Sequence, residues 1–293
     1  MMEVRTVTIY QGNTCYPGIL RIPDVTPAPA VAFHMGYGAF KEMYDAMATC
    51  FCKAGYVTLQ YDGRNQLGRG TGYFHCGTEW LEDAGQAVSF LTGLTEVDQS
   101  RIGFTGLSMG GGVTITQGSL DRRIKCLYAM APVPSWKTLM EEVWTENQDK
   151  QAWEDFLRQM EEDAARTAHG FPSEFVNAGF GARGIPIAEE DMEAELSVRP
   201  HSAVMLPLES LYNSYLYMDA YRAAHFLHTP ICIVHGTADT SIPCKYSQAI
   251  YDVIPTEDKQ LHFIEGAGHV LTEDACETVN QIGLAWFDRW LKP

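Results

Sequence analysis

Basic residues are scarce in this sequence, and their scarcity argues against a large class of partners. The 293 residues include 21 lysines and arginines against 37 aspartates and glutamates, which gives a formal net charge of −16 at pH 7. A chain this acidic repels nucleic acid and anionic membrane surfaces, and no basic stripe interrupts the acidic background. We therefore expect neither a nucleic-acid partner nor a membrane partner.

Long apolar runs, paired cysteine motifs and internal repeats are also missing. No apolar run is long enough to span a bilayer, and residues 1–8 lack the basic and apolar regions of a secretory signal. The 8 cysteines are scattered, and Cys50 and Cys52 have no second pair with which to form a zinc site. These absences predict a cytoplasmic protein with reduced cysteines and no metal site.

What the sequence does contain is a regular alternation of strand and helix patterns. It begins with hairpin-like strands at Val4–Tyr10 and Tyr16–Ile22, followed by a proline-rich loop at 23–30. Apolar segments then alternate with helical segments up to residue 131, and the alternation resumes over Pro230–Leu291. This α/β pattern predicts a mostly parallel sheet flanked by helices, with right-handed crossovers.

The region between these two parts has a different pattern. Residues 133–222 contain long amphipathic helical stretches, an acidic patch and a middle rich in glycine and proline, without a convincing strand. We interpret this region as a helical cap inserted over the carboxyl ends of the strands. The core is then predicted to comprise residues 1–132 and 223–293.

A serine between glycines follows the strand pattern that starts at Arg101. The segment Gly106–Gly110 fits G-x-S-x-G, the nucleophile elbow that holds a serine hydroxyl on a strained turn between strand and helix. Side chains at either glycine would collide with the tight turn. Ser108 is therefore the candidate nucleophile, placed at a helix start where backbone N–H groups stabilise a developing oxyanion.

A candidate acid and a candidate base follow later in the chain. Asp239 comes after one predicted strand and His269 after the next. The order Ser108, Asp239, His269 is the nucleophile–acid–base order of one large class of parallel-sheet hydrolases. A histidine can take the serine proton near neutral pH, and a carboxylate on its other ring nitrogen orients it. Glu265 and Asp274 flank the histidine and are the alternatives as the acid.

The oxyanion hole requires two backbone N–H groups close to the nucleophile. We expect one from Met109, the residue after the serine. The other is expected from the loop after His34, where Tyr37 is preferred and Met35 is the alternative. We interpret His34 as bracing this loop, in preference to acting as a second base.

These segments together resemble the α/β-hydrolase superfamily, and the resemblance covers nearly all of the chain outside the cap. The elbow Gly106–Gly110, the acid segment His235–Pro243 and the base segment Gly266–His269 carry it. Phe33–Gly36 resembles the oxyanion segment, although Met35 interrupts the usual His-Gly pair. The resemblance implies a hydrolase or acyltransferase that forms an acyl-enzyme and needs no metal or organic cofactor.

Two groups within the superfamily look nearest. Residues 231–239 and 261–269 are similar to small-acyl and cinnamoyl (feruloyl) esterases with a helical cap. Lys41–Asp45 and Tyr61–Asn65 look more like dienelactone hydrolases and polyketide transferases. In those groups a second G-x-S-x-G follows, but Gly68–Gly72 has glycine where its serine is expected, so a role for that serine is not carried over.

The expected function is the hydrolysis of a small-molecule carboxylic ester. Acyl transfer or thioester cleavage uses the same triad and is the main alternative. A peptidase of the prolyl-oligopeptidase type is disfavoured because its propeller domain has no room in this chain. A non-catalytic receptor is disfavoured because such proteins usually lack a triad residue. A homodimer through an aromatic-rich cap is a further expectation.

Candidate substrate contacts lie in the oxyanion loop and in the cap. In the loop they are Gly36 and Met35, and in the cap they are Trp136 and Tyr215. Aromatic residues at helical spacing serve equally well as the core of a cap, so the sequence leaves both interpretations open. The cap aromatics concerned are Trp136, Trp144, Phe156, Phe171, Tyr212, Tyr215 and Tyr217.

Several other polar residues are interpreted as structural. Asp62 and Arg64 follow a strand, and we expect them to anchor the loop near the mouth of the site. His235 and His262 lie within predicted strands, which indicates packing in preference to chemistry.

Overall fold

A sheet of eight strands with helices on both faces forms the centre of the protein. The computed structural model describes residues 2–64, 77–147, 150–177 and 205–292. The strands in chain order are β1 (Glu3–Gln11), β2 (Thr14–Ile22), β3 (Ala28–His34), β4 (Val57–Tyr61), β5 (Val97–Leu107), β6 (Ile124–Met130), β7 (Phe175–Asn177), β8 (Met205–Pro207), β9 (Ile231–Gly236) and β10 (Lys259–Ile264). The order in the large sheet is β1-β2-β4-β3-β5-β6-β9-β10.

The strand directions confirm the predicted α/β-hydrolase architecture. β1 and β2 form the expected antiparallel hairpin, β2 pairs antiparallel with β4, and every later pairing in the large sheet is parallel. The helices in chain order are a 3-10 helix (Lys41–Tyr44), α1 (Asp45–Lys53), α2 (Glu79–Thr92), α3 (Met109–Leu120), α4 (Trp136–Asn147), α5 (Lys150–Ala168), α6 (Leu208–Tyr217), α7 (Ala220–Ala224), α8 (Lys245–Val253), α9 (Leu271–Asp274) and α10 (Cys276–Leu291).

The central strand β3 separates two buried layers. All of its residues are buried, as expected for a parallel strand covered on both faces. Because successive side chains alternate, Ala30 and Ala32 join the layer that contains Trp80 of α2, whereas Val31 and Phe33 join the layer of α1 and α10. The loops that follow β3, β5, β6, β9 and β10 consequently lie at one edge of the sheet.

The start of β3 differs from the sequence-based expectation. Residues 28–30 belong to the strand, although the proline content of 23–30 predicted a loop throughout. The register shifts between Ala28 and Ala30, at Pro29. Such an irregularity accommodates a proline, which has no N–H group to donate to a neighbouring strand.

The segment between β6 and β9 lies outside the large sheet and is mainly helical in its described part. The expectation of no strand was wrong, because β7 and β8 form an antiparallel pair of three residues each. Strands this short have no periodicity from which they could be recognised. The glycine- and proline-rich middle lies outside the described residues from 178 onward, as does the stretch Gly68–Gly72.

The two ends of this segment are hydrogen-bonded to each other. The Trp136 N–H donates to the Met218 carbonyl at 2.9 Å, and the Tyr221 N–H donates to the Pro134 carbonyl at 2.8 Å. These contacts lie close to the predicted cap boundaries at 133 and 222, which stay a prediction. No helix in the described part of the chain is both long and apolar enough to cross a membrane.

Candidate active site

Ser108 occupies a strained turn between β5 and α3. Its backbone has φ 61° and ψ −123°, a conformation that residues other than glycine rarely adopt. Its N–H donates to the Met130 carbonyl at 2.9 Å, and its carbonyl accepts from the Gly112 and Val133 N–H groups at 3.1 Å each. Strain of this kind persists only where surrounding contacts enforce it, and it is typical of functional positions.

The two flanking glycines allow the turn to close. A Cβ atom on Gly106 would lie 2.4 Å from the Gly110 carbonyl oxygen. A Cβ atom on Gly110 would lie 2.5 Å from the His34 carbonyl oxygen and 2.7 Å from that of Met35. The sequence predicted the collision within the turn. The structure adds that the expected oxyanion loop packs directly on the elbow.

Substituting Gly110→Ala tests this packing. The added methyl group meets backbone atoms that cannot move aside, so we expect a loss of about 2–3 kcal/mol of folding free energy and a lower Tm. Gly55→Ala is a poor control because Gly55 has φ +97°, whereas Gly85→Ala meets only a side-chain amide at 3.3 Å. Thermal unfolding of both variants measures the effect. Equal Tm values for the two would contradict the packing argument.

Asp239, the proposed acid, lies in the loop after β9 and contacts His269, the proposed base. The His269 Nδ1–H group donates to Asp239 Oδ2 at 2.7 Å. Backbone N–H groups of Ser241 and Ile242 donate to Oδ1 at 2.9 and 2.8 Å. Because Nδ1 carries this proton, Nε2 of the neutral ring has a free lone pair with which to accept another.

The charge state of Asp239 follows from its surroundings. Burial by itself raises the pKa of a carboxyl group, but hydrogen bonds from His235 and His269 outweigh it. Together they hold the pKa of Asp239 well below its ordinary value. The group is therefore a buried carboxylate at neutral pH, suited to stabilise an imidazolium.

Ser108 and His269 lie at the same edge of the sheet, after β5 and β10. Both residues are described, and no hydrogen bond joins them in this structure. Catalytic hydrogen bonds are often long before substrate binds and tighten in the reacting complex. The structure therefore brings Asp239 and His269, the proposed acid and base, into contact and places Ser108 in the same group of loops.

The alternative acids are less well placed. Glu265 is exposed, and His269 Nδ1 is engaged by Asp239. The side chain of Asp274 lies outside the described residues. The hydrogen-bond pattern therefore favours Asp239.

His235 has contacts that the sequence did not reveal. It is fully buried, as expected for a structural residue, but its Nε2 atom lies 3.1 Å from Asp239 Oδ2. The available signal was the four-residue spacing between this histidine and the aspartate, directly after a buried strand. That spacing was interpreted as packing alone.

The expected oxyanion loop lies beside the serine. Met109 is the first residue of α3, where an N–H group has no partner within the helix. A Cβ atom on Gly36 would lie 3.4 Å from Ser108 Cβ, so a glycine here leaves room at the nucleophile. The Met35 side chain is buried in the layer of α1 and α10, and substrate contacts at Gly36 and Met35 stay a prediction. Which loop residue donates the second N–H group stays a prediction, with Tyr37 preferred.

His34 is confined within this part of the core. Its Nδ1 atom lies 2.6 Å from the Tyr61 hydroxyl, and its ring packs edge-on against Trp80 at 5.3 Å. Complete burial lowers the pKa of His34 to about 3. The ring is therefore neutral at neutral pH, which agrees with a bracing role.

Asp62 and Arg64 are both held in ion pairs. Asp62 is fully buried and accepts hydrogen bonds from the Lys41 backbone N–H and the Lys41 Nζ atom, each at 2.7 Å. Arg64 donates to Asp83 from its backbone N–H and from Nε, at 2.9 and 2.8 Å. These contacts anchor the loop after β4, as expected.

The two aromatic residues of the predicted cap that were expected to contact substrate differ in their surroundings. Trp136 is buried against the Tyr37 ring, with centroids 5.5 Å apart, so it touches the expected oxyanion loop. Tyr215 packs on Trp153 at 5.9 Å and donates to Glu141 at 2.8 Å. These two contacts are with α4 and α5, between β6 and β9, and a substrate contact at Tyr215 stays a prediction. The side chain of Trp144 is not among those described.

Two family models match separate parts of the chain. The acetyl xylan esterase (AXE1) family matches residues 73–169, and the serine aminopeptidase S33 family matches residues 205–275. The first contains Ser108, and the second contains Asp239 and His269.

Individual relatives extend over most of the chain. A thiohydrolase of Eupenicillium brefeldianum is 25% identical over 85% of this chain and 81% of its own length. The acyltransferase drtE of Aspergillus calidoustus is 24% identical over 84% of this chain and 82% of its own length. The crystal structure of the α/β hydrolase GrgF from Penicillium sp. sh18 superposes with a TM-score of 0.77, at 19% identity and 99% coverage of both chains. The architecture, the family models and these relatives agree, and the chain is a member of the α/β-hydrolase superfamily.

Proposed function

We propose that this protein is a serine hydrolase that cleaves carboxylic esters through an acyl-enzyme. The observation that carries the proposal is the 2.7 Å hydrogen bond from His269 Nδ1 to the buried Asp239 carboxylate, at the sheet edge where Ser108 occupies a strained elbow. A serine hydroxyl is a weak nucleophile until a base takes its proton. The oriented imidazole is that base.

The reaction proceeds in two halves. Ser108 Oγ attacks the ester carbonyl as His269 Nε2 takes its proton, and Asp239 stabilises the imidazolium. The tetrahedral intermediate collapses as the ester C–O bond breaks, and the proton passes to the departing alkoxide. Water then attacks the acyl-enzyme by the same route, which releases the acid and restores Ser108.

The developing oxyanion requires two donors. We assign them to the Met109 N–H group and to one N–H group of the loop after β3, with Tyr37 preferred. Loss of one such donor typically lowers kcat about 100- to 1,000-fold. Trp136, whose ring packs against that of Tyr37, is proposed to border the acyl or alcohol site.

Thioester cleavage or acyl transfer is the second candidate. The thiohydrolase and acyltransferase relatives favour it, because each aligns with more than four-fifths of this chain. The residues and their roles are the same, and only the leaving group or the acceptor changes. The substrate in every case is a small molecule. A cytoplasmic location and a homodimer stay predictions.

One experiment tests the proposal and separates the candidates. A fluorophosphonate probe should modify Ser108, which mass spectrometry of the labelled peptide locates. A panel of short-acyl, long-acyl and hydroxycinnamoyl esters, with matching acyl thioesters and added alcohols, then reports hydrolysis and transfer products. Labelling of a different residue, or no labelling together with no turnover on the panel, would overturn the proposal.

A further inference from the structure

A second histidine, which is buried, also contacts the proposed catalytic acid. His235 lies one residue before the end of β9 and is fully buried. Its Nε2 atom lies 3.1 Å from Asp239 Oδ2 and 2.8 Å from the Ile242 carbonyl oxygen. Its Nδ1 atom lies 2.6 Å from Ser247 Oγ on α8. Both ring nitrogens are therefore engaged.

These partners determine which ring nitrogen carries a proton. A carboxylate and a carbonyl oxygen can only accept hydrogen bonds, so Nε2 must be the donor toward Asp239 and Ile242. The Ser247 hydroxyl can donate to Nδ1, and the neutral ring then has a partner at each nitrogen. A buried ring satisfied in this way has one stable orientation.

The contact matters because two rings share one carboxylate oxygen. Backbone N–H groups of Ser241 and Ile242 hold Oδ1, while His235 and His269 both meet Oδ2. His235 also ties the acid loop to β9 and to α8. The plane of the carboxylate, and hence the direction of its bond to His269, is set by these donors together.

We propose that His235 is a positioning residue that holds the Asp239 carboxylate in the geometry through which it orients His269. This inference rests on the proposed function, because orientation of His269 matters only if that ring acts as the base. His235 touches no substrate and acts through Asp239. Its removal should lower kcat and leave KM nearly unchanged, since ground-state binding does not involve it.

The test compares variants that keep or lose a donor near Oδ2. In His235→Gln the side-chain amide nitrogen reaches about as far as Nε2, so kcat should stay within several-fold of the wild-type value. His235→Leu has no donor and His235→Asn is too short to reach Oδ2. Both should lower kcat about 10- to 100-fold, the effect of losing a hydrogen bond to a charged group. The asparagine variant serves as the test if the leucine variant does not fold.

A matched histidine controls for effects of the strand itself. His262 lies on the neighbouring strand β10, where its Nε2 atom is 3.2 Å from Gln260 Oε1 and where it does not contact Asp239. His262→Leu should leave kcat within about twofold of the wild-type value. Equal kcat values for the glutamine and asparagine variants of His235, with both folded, would overturn the proposal. So would wild-type kcat in a folded His235→Leu variant.

A spectroscopic measurement separates this inference from the proposed function. The proton between His269 Nδ1 and Asp239 should give a strongly downfield NMR signal, which shifts or broadens in His235→Asn and persists in His235→Gln. This signal does not require turnover. An inactive, unlabelled wild-type protein would therefore overturn the proposed function, whereas an unchanged signal in His235→Asn would overturn the positioning role.

Discussion

Replacing Ser108 with alanine is expected to lower kcat for an ester substrate by about 10⁶-fold, the largest effect of any single substitution proposed for this protein. The variant has no nucleophilic oxygen at the elbow, so an acyl-enzyme cannot form. Because the oxyanion donors and the binding site stay in place, a residual acceleration of about 10³- to 10⁴-fold over the reaction in water should remain. KM should change little.

Steady-state hydrolysis of a p-nitrophenyl ester, together with fluorophosphonate labelling, measures this effect. Ser119→Ala is the matched control, because Ser119 lies near the end of α3 and donates only to the Thr116 carbonyl, at 2.7 Å. It should be labelled and should turn over substrate like the wild type. Ester turnover in a purified Ser108→Ala variant at the rate of the Ser119→Ala control would rule out the nucleophile assignment.

Asp239→Asn is expected to have the second-largest effect, a decrease in kcat of about 10⁴-fold. An asparagine amide that donates toward His269 would favour the tautomer with the proton on Nε2, and that nitrogen could then no longer accept the Ser108 proton. The substitution also removes the negative charge that stabilises the imidazolium. Removal of the charge matters at this site because the carboxylate is fully buried.

The control for this substitution is Asp252→Asn, on the exposed surface of α8. Asp252 accepts a hydrogen bond only from Gln248, at 2.7 Å, and its amide variant should keep wild-type kcat. Circular dichroism should show that Asp239→Asn is folded. An unchanged kcat in that folded variant would transfer the role of the acid to another carboxylate, with Glu265 the first to test.

Much of the fold was predictable because its local patterns agree with its global arrangement. The strands β3, β4, β6 and β9 are mostly buried and are recognisable in the sequence as short apolar segments. The prolines near Pro29 led to the wrong prediction of a loop at residues 28–30. A register shift that accommodates proline depends on the partner strands and is not visible in the sequence. The strands β7 and β8 were not predicted because three residues are too few to show an alternation of apolar and polar side chains.

The residues of the candidate site could be proposed from the sequence, whereas their contacts could not. Ser108, Asp239 and His269 could be chosen because a G-x-S-x-G turn, an acid and a histidine follow strands in the required order. The role of His235 could not be chosen in this way. A histidine in a buried strand has the same local pattern whether it packs against apolar neighbours or donates to a carboxylate.

The sequence by itself determined the architecture and the types of residue at the strand ends, because strand period, glycine placement and chain order are local properties. Only the tertiary structure decided which side chains meet. It placed the His34 and Met35 carbonyls against Gly110, joined Asp239 to two histidines, and buried the Met35 side chain in the layer of α1 and α10. These contacts join residues from different strands and loops, and their geometry depends on how the whole sheet packs.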